Sequence, residues 1–159
     1  MDENKVEKAL PEVSLNQATA DDETRFHEID DAVESRTCLP IKDFAAEMKD
    51  GPVLMIKKGE ETVGFTSYQR QADGSIYINS LYIDPNYQKQ GIGRATLSKV
   101  MEMLKDEPRI WLVTHPENPA VQLYESFGFK IKERKENYFG NGEPRYIMEW
   151  LRSEANVSE

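Results

Sequence analysis

The stretch "SLYIDPNYQKQGIGRATLSKV", Ser80 to Val100, constrains the fold of this chain more than any other. A short apolar strand ends at an Asp-Pro-Asn corner, runs past Gly91 and Gly93, and becomes a helix. Leu97, Val100, Met101 and Leu104 recur at the i, i+3, i+4, i+7 spacing of a buried stripe, with Lys99, Glu102 and Lys105 off it. The spacing predicts a helix over 91–106, and the apolar run "RIWLV" (109–113) follows it as a strand. Strand, helix, strand in that order demands a right-handed crossover between parallel neighbours.

The flanking segments fill in the rest of the sheet. "VLMIKK", "TVGFTSYQR" and "SIYINSLYI", separated by turn residues, read as an antiparallel meander. The third run carries apolar residues at both alternations, which a β-bulge or burial on both faces explains. Downstream, "PAVQLYESFG" predicts a short helix ending at Gly128, and "FKIKERKENYF" with "PRYIMEWL" a closing hairpin. Upstream, "VSLNQAT" reads as a first strand. "TADDETRFHEIDDAVES" then reads as a helix with capping-box spacing at Thr19 and Asp22 and a Phe26, Ile29, Val33 face. "IKDFAAEMKD" repeats the pattern with Ile41, Phe44, Ala45 and Met48 inward, and Gly51-Pro52 ends it. The fold class is therefore α/β, a mixed and mainly antiparallel sheet flanked by helices.

At 159 residues the chain suits one domain, expected over 13–152, with polar and flexible segments at 1–12 and 153–159. No apolar run approaches the roughly 20 residues that span a bilayer. The N-terminus is charged where an export signal would be apolar, so a cytoplasmic protein with no membrane partner is expected. The single cysteine, Cys38, fits a reducing compartment, and two histidines with one cysteine argue against a metal site. A net charge of −9 disfavours nucleic acid and favours a cationic partner. Nothing in the sequence chooses between a monomer and a homodimer.

The helix start poses a chemical question. A helix that only packs is usually capped by Ser, Thr, Asp or Asn, whereas this one opens with glycine. The first amides of a helix lack intrahelical acceptors and carry the positive end of its dipole. With no side chains over them they accept a phosphate directly, and Lys89 and Arg94 add charge. The corner is neither a nucleotide P-loop, since no Gly-Lys-Ser/Thr follows, nor a Rossmann turn, since the third glycine is missing and antiparallel strands precede it.

"QKQGIG" after "LYIDPNY" resembles the pyrophosphate-binding signature of the GNAT superfamily of acetyl-CoA-dependent N-acetyltransferases, and "ENPAVQLYESFGFK" resembles that superfamily's second block. The resemblance covers about 53–151. It implies a sheet whose two central parallel strands splay apart, and acetyl-CoA as cosubstrate. Pantetheine is expected along Leu81, Tyr82 and Ile83, with the pyrophosphate on the amides of Gln88, Lys89, Gln90, Gly91, Ile92, Gly93 and Arg94. A main-chain amide near Tyr82 or Ile83 is expected to hold the thioester oxygen.

Acetyl transfer to an amine needs a neutral nitrogen, donors for the developing oxyanion, and a proton for the leaving thiolate. By the resemblance Tyr124 is the candidate acid; a phenol near its usual pKa of about 10 suits that task, and packing alone is the alternative. Asn118 resembles the family's cofactor-contacting Asn, although the usual spacing falls on Glu117; capping the next helix is its other reading. Many relatives carry a catalytic Glu on one of the two central strands, and here those positions hold Asn79 and Val113, so His115 or a water held near Asn79 is the candidate base. "KENYFGNGEPRYIMEW" resembles the acceptor-binding segment of N-terminal protein acetyltransferases, including those acting on ribosomal proteins, with "GEPR" where that group has "GEDA". It points to Tyr138 and Phe139, together with Asn79, for the acceptor. Polyamine acetyltransferases share the framework, so the expected acceptor is a peptide N-terminus or a small amine. A module that binds acetyl-CoA without turnover is the alternative.

Overall fold

The computed structural model describes residues 10–37 and 42–153. The expectations for Cys38, Ile41 and the outer parts of both terminal segments lie outside these residues. The described residues form seven strands: β1 (Ser14–Gln17), β2 (Val53–Lys58), β3 (Glu61–Arg70), β4 (Ile76–Ile83), β5 (Arg109–Thr114), β6 (Lys130–Lys135) and β7 (Arg145–Leu151). Four helices accompany them: α1 (Glu23–Thr37), α2 (Phe44–Asp50), α3 (Ile92–Met103) and α4 (Ala120–Ser126). The strands make one sheet in the order β1-β2-β3-β4-β5-β7-β6, antiparallel except for the β4–β5 pair. The α/β class, the meander, the crossover and the closing hairpin are as the sequence predicts.

The parallel pair is short. Only Ile76 with Ile110 and Tyr77 with Trp111 are in register, although β4 runs on to Ile83 and β5 to Thr114. Meanwhile β5 stays fully paired to β7 from Arg109 to Thr114, and β4 to β3 as far as Ile83. The two central strands therefore splay and leave a wedge between them.

A β-bulge sits where the splay begins. Ser67 faces Ser80 and Tyr68 faces Ile78, so Asn79 is the extra residue on β4. One inserted residue reverses the alternation of a strand. Ile76 and Ile78 pack with Leu97 and Val100 of α3; beyond the bulge Leu81 and Ile83 turn to that same side, against Ile92 and Ala95. Tyr82 instead joins Phe26, Phe44 and Phe65 under α1 and α2. The mixed apolar pattern of "SIYINSLYI" is this phase change.

The two helical layers are held by separate apolar clusters. Phe26 of α1 stacks on Phe65 of β3 with ring centroids 4.2 Å apart and meets Phe44 of α2 at 4.9 Å. On the other face Leu97, Val100 and Leu104 share a cluster with Tyr124, Phe129 and Met148. The capping box at Thr19 and Asp22 closes a short 3-10 turn, Ala20–Asp22, that leads into α1. Two expectations need correction. Ala45 is exposed, because α2 starts only at Phe44 under an Asp43 cap and turns Ala45 outward, leaving Met48 one turn on to pack. The helix expected over 91–106 ends at Met103, with Leu104 as its C-cap.

Candidate active site

The wedge opens into a cavity of about 670 Å³ between the exposed edge of β4, the start of α3, the loop into α4, and α2. The corner after β4 is built by local polar bonds. Asp84 accepts from the Asn86 amide at 2.9 Å and from the Arg25 guanidinium at 2.7 Å. Burial alone would raise the Asp84 carboxyl, but these two donors outweigh it and hold the group below its ordinary range. Gln88 Nε2 donates to the Ile83 carbonyl at 3.0 Å, so chain entry into the corner is fixed from both sides.

Beyond it the backbone takes two left-handed steps, Lys89 at φ 65° and Gly91 at φ 85°. Gly91 is the N-cap of α3 and supplies no side-chain cap; the first helical bond is from the Ala95 amide to the Gly91 carbonyl at 3.0 Å. Among the described residues, none accepts a hydrogen bond from the amides of Lys89 to Arg94. A side chain at Gly93 would meet only the Leu123 methyl, at 3.6 Å, whereas one at Gly91 would press on Pro11 at 3.1 Å. Arg94 lies over the Phe127 ring at 5.7 Å and donates to Ser126 Oγ at 3.2 Å. Of the residues expected here, Gln90 does not line the cavity but accepts from Lys58 Nζ at 3.0 Å. A Pro11 this close to Gly91 also brings the end of the expected flexible segment onto the body of the protein.

Tyr124 lines the cavity from α4 and is buried against Phe129. Burial pushes its phenol up to about 12, above the value assumed from the sequence, so the hydroxyl stays protonated throughout the neutral range. His115 lies on the cavity wall just past β5, yet both ring nitrogens are engaged. Nδ1 accepts from the Glu117 amide at 3.0 Å, so the neutral ring carries its proton on Nε2, 2.9 Å from Glu143 Oε1. Asn118 also lines the cavity while serving the following helix: Oδ1 accepts from the Ala120 amide at 2.9 Å and Nδ2 donates to Thr114 Oγ1 at 3.0 Å. Phe139 reaches the cavity, whereas Tyr138 stands behind it, edge-on with centroids 4.8 Å apart.

The acceptor side holds a carboxylate that the sequence did not point to. Glu47 of α2 lines the cavity, accepts from Asn79 Nδ2 at 2.5 Å, and accepts from Ser67 Oγ at 2.9 Å. Ser67 Oγ is in turn 2.7 Å from Ser80 Oγ. The neighbouring Tyr77 phenol is pushed up to about 12 by burial, then by Tyr138 and by Glu47.

A model described as the acetyltransferase (GNAT) family matches residues 15–129. The chain belongs to the GNAT acetyltransferase family. Within that family it is 35% identical over 89 residues to ribosomal protein bS18-alanine N-acetyltransferase of Escherichia coli (strain K12). That match covers 54% of this chain and spans 60% of the length of the relative. The crystal structure of the ribosomal-protein-alanine N-acetyltransferase from Escherichia coli has a TM-score of 0.73 at 23% identity, covering 88% of this chain and 94% of that one. An Arabidopsis thaliana structure in complex with the bisubstrate analogue CoA-Ac-MVNAL has a TM-score of 0.72 at 20% identity, covering 86% and 97%. A spermidine N-acetyltransferase chimera from Vibrio cholerae has a TM-score of 0.72 at 19% identity, covering 89% and 96%. These structural likenesses establish the GNAT fold. Among the described residues no helix is long and apolar enough to cross a membrane.

Proposed function

We propose that this GNAT protein is an acetyl-CoA-dependent N-acetyltransferase, moving the acetyl group directly to a primary amine while both substrates are bound. The observation that carries the reading is the run of amides from Lys89 to Arg94 with no acceptor among the described residues, in a corner whose Lys89, Gly91, Gly93 and Arg94 line the same cavity as the buried Tyr124. The residues fit the cosubstrate. Bare amides at a helix N-terminus suit a diphosphate, and the edge of β4 that has parted from β5, at Leu81 to Ile83, suits the amide groups of pantetheine. Acetyl-CoA supplies the activated acyl carbon.

This chain's residues then do the rest. An amide near Tyr82 or Ile83 holds the developing oxyanion. Tyr124 meets the leaving sulfur. With its phenol pushed up to about 12, the hydroxyl is a weaker acid than an alkyl thiol, so full transfer to the thiolate is uphill. The hydrogen bond to the growing negative charge is therefore its first contribution, and the proton follows as the bond to sulfur breaks. Phe139, His115 and Asn79 border the acceptor, while Asn118 holds the loop against the cofactor side.

A peptide N-terminus is the favoured acceptor, supported by the sequence kinship with the ribosomal protein enzyme; a polyamine comes second, supported by the acidic charge balance. A non-catalytic acetyl-CoA binder is the rival, since neither Asn79 nor Val113 takes a proton. An acceptor screen with labelled acetyl-CoA, covering Ala-initiated peptides, spermidine, lysine peptides and aminoglycosides, decides. Amine-dependent release of CoA supports the enzyme; cofactor binding with no release for any amine supports the rival.

A further inference from the structure

We propose that Glu47 is the group that receives the acceptor's ammonium and takes its proton. This rests on the acetyltransferase reading and assigns the base which that reading leaves open. Three observations carry it. The carboxylate lines the cavity, and both oxygens are held: Oε1 by Ser67 at 2.9 Å and Oε2 by Asn79 at 2.5 Å. Asn79 is the β-bulge residue where β4 parts from β5, so Glu47 stands where the wedge begins, on the same cavity as the Leu81 to Ile83 edge where the thioester is expected. His115, the imidazole on the wall, has both nitrogens occupied by Glu117 and Glu143.

The arrangement suits a cation. An ionised carboxylate has about four acceptor sites, and the Ser67 and Asn79 donors use two of them. The remaining lone pairs are left for an N–H⁺ donor from the cavity. Charged and titratable groups that line the cavity with Glu47 include Lys42 and Asp43 just before its own helix, Tyr77 on β4 and His115 past β5, and Glu47 and Tyr138 both raise the Tyr77 phenol. Lys42 is drawn off over the Tyr82 ring, with Nζ 5.4 Å from the ring centroid.

The proton balance closes. The acceptor arrives as an ammonium and gives one proton to Glu47, which later loses it to solvent. Its freed lone pair forms the nitrogen–carbon bond, and the carbon–sulfur bond then breaks. Tyr124 gives its proton to the sulfur and is restored by the second proton of the nitrogen. The net change is ammonium plus thioester to amide, thiol and one solvent proton.

The test compares wild type with Glu47→Gln and Glu47→Asp, using an Ala-initiated peptide and spermidine as acceptors between pH 7 and 9. Calorimetry with acetyl-CoA reads the cofactor site separately. General base assistance is worth about 10²–10⁴-fold, so Glu47→Gln is expected to cut amine-dependent turnover at pH 7 about 100-fold or more, with acetyl-CoA affinity unchanged. A peptide amine has a pKa of about 8 and becomes neutral by itself towards pH 9, so the deficit with the peptide should shrink about tenfold over that range. Glu47→Asp, which keeps a carboxylate, should recover most of the lost turnover. A deficit constant with pH, a Glu47→Gln enzyme within twofold of wild type, or a Glu47→Asp enzyme no better than Glu47→Gln overturns the assignment while leaving the acetyltransferase reading standing. Wild type that binds acetyl-CoA and turns over no amine removes both.

Discussion

Asn79 Nδ2 lies 2.5 Å from Glu47 Oε2, and a β-bulge makes that bond possible. The extra residue turns Asn79 towards α2 alongside Ser80, whose hydroxyl joins the same chain of hydrogen bonds through Ser67. Without it, Asn79 and Ser80 would face opposite sides of the sheet.

Removing that donor should loosen the acceptor side alone. A hydrogen bond to a charged group is worth about 1.5–3 kcal/mol, so Asn79→Ala is expected to raise KM for the amine at least about tenfold. Calorimetry should find acetyl-CoA affinity within about twofold of wild type. An unchanged KM would detach Asn79 from the acceptor.

Tyr124→Phe keeps the packing of the ring and deletes the hydroxyl. Loss of a positioned proton donor costs about 10²–10⁴-fold, and turnover is expected to fall by at least the lower figure while cofactor affinity changes little. Undiminished turnover in a stopped assay of thiol release would return the residue to the core cluster it shares with Leu97 and Phe129.

The two glycines of the corner should separate. Gly93 has room for a side chain against Leu123, so Gly93→Glu should fold normally and lose acetyl-CoA binding through repulsion at the amides. Gly91 is left-handed and faces Pro11, so Gly91→Ala should lower stability by about 1 kcal/mol or more. Thermal melting and cofactor titration on both variants read the two effects independently.

Asp30 offers a pH-dependent prediction. It is fully buried in α1; burial pushes its carboxyl up, against the lowering by the Lys42 amide that bonds Oδ2 at 3.0 Å. A carboxyl raised in the folded state favours folding below its unfolded pKa and loses that favour as pH climbs through the folded value. Asp30→Asn should therefore raise the melting temperature at pH 7, with the gap to wild type narrowing as pH falls towards the ordinary carboxylate range. A gap that widens on acidification would contradict the assignment.

Much of the fold was legible because its signals are local. Leu97 and Val100 declare α3 by spacing, Thr19 and Asp22 declare their cap, and the broken alternation of "SIYINSLYI" fits either a bulge or burial on both faces, of which the structure has the bulge, at Asn79. The corner shows itself through Gly91, whose backbone angle excludes most side chains. Glu47 escaped because its contact to Asn79 crosses 32 residues and joins a helix to a strand, which no periodicity records. Ala45 was misplaced because α2 is only 7 residues long, too short for a stripe to fix its phase. The engagement of His115 Nε2 depends on Glu143, 28 residues away on the β6–β7 connection.

The central claim is that the amides from Lys89 to Arg94 grip the diphosphate of the cosubstrate. Calorimetric titration of the wild-type protein with CoA and with pantetheine, which lacks the diphosphate and nucleotide, tests it most directly. CoA is expected to bind at least about 100-fold more tightly, a difference of about 2.7 kcal/mol. Equal affinities for the two ligands, or no binding of CoA, would contradict it.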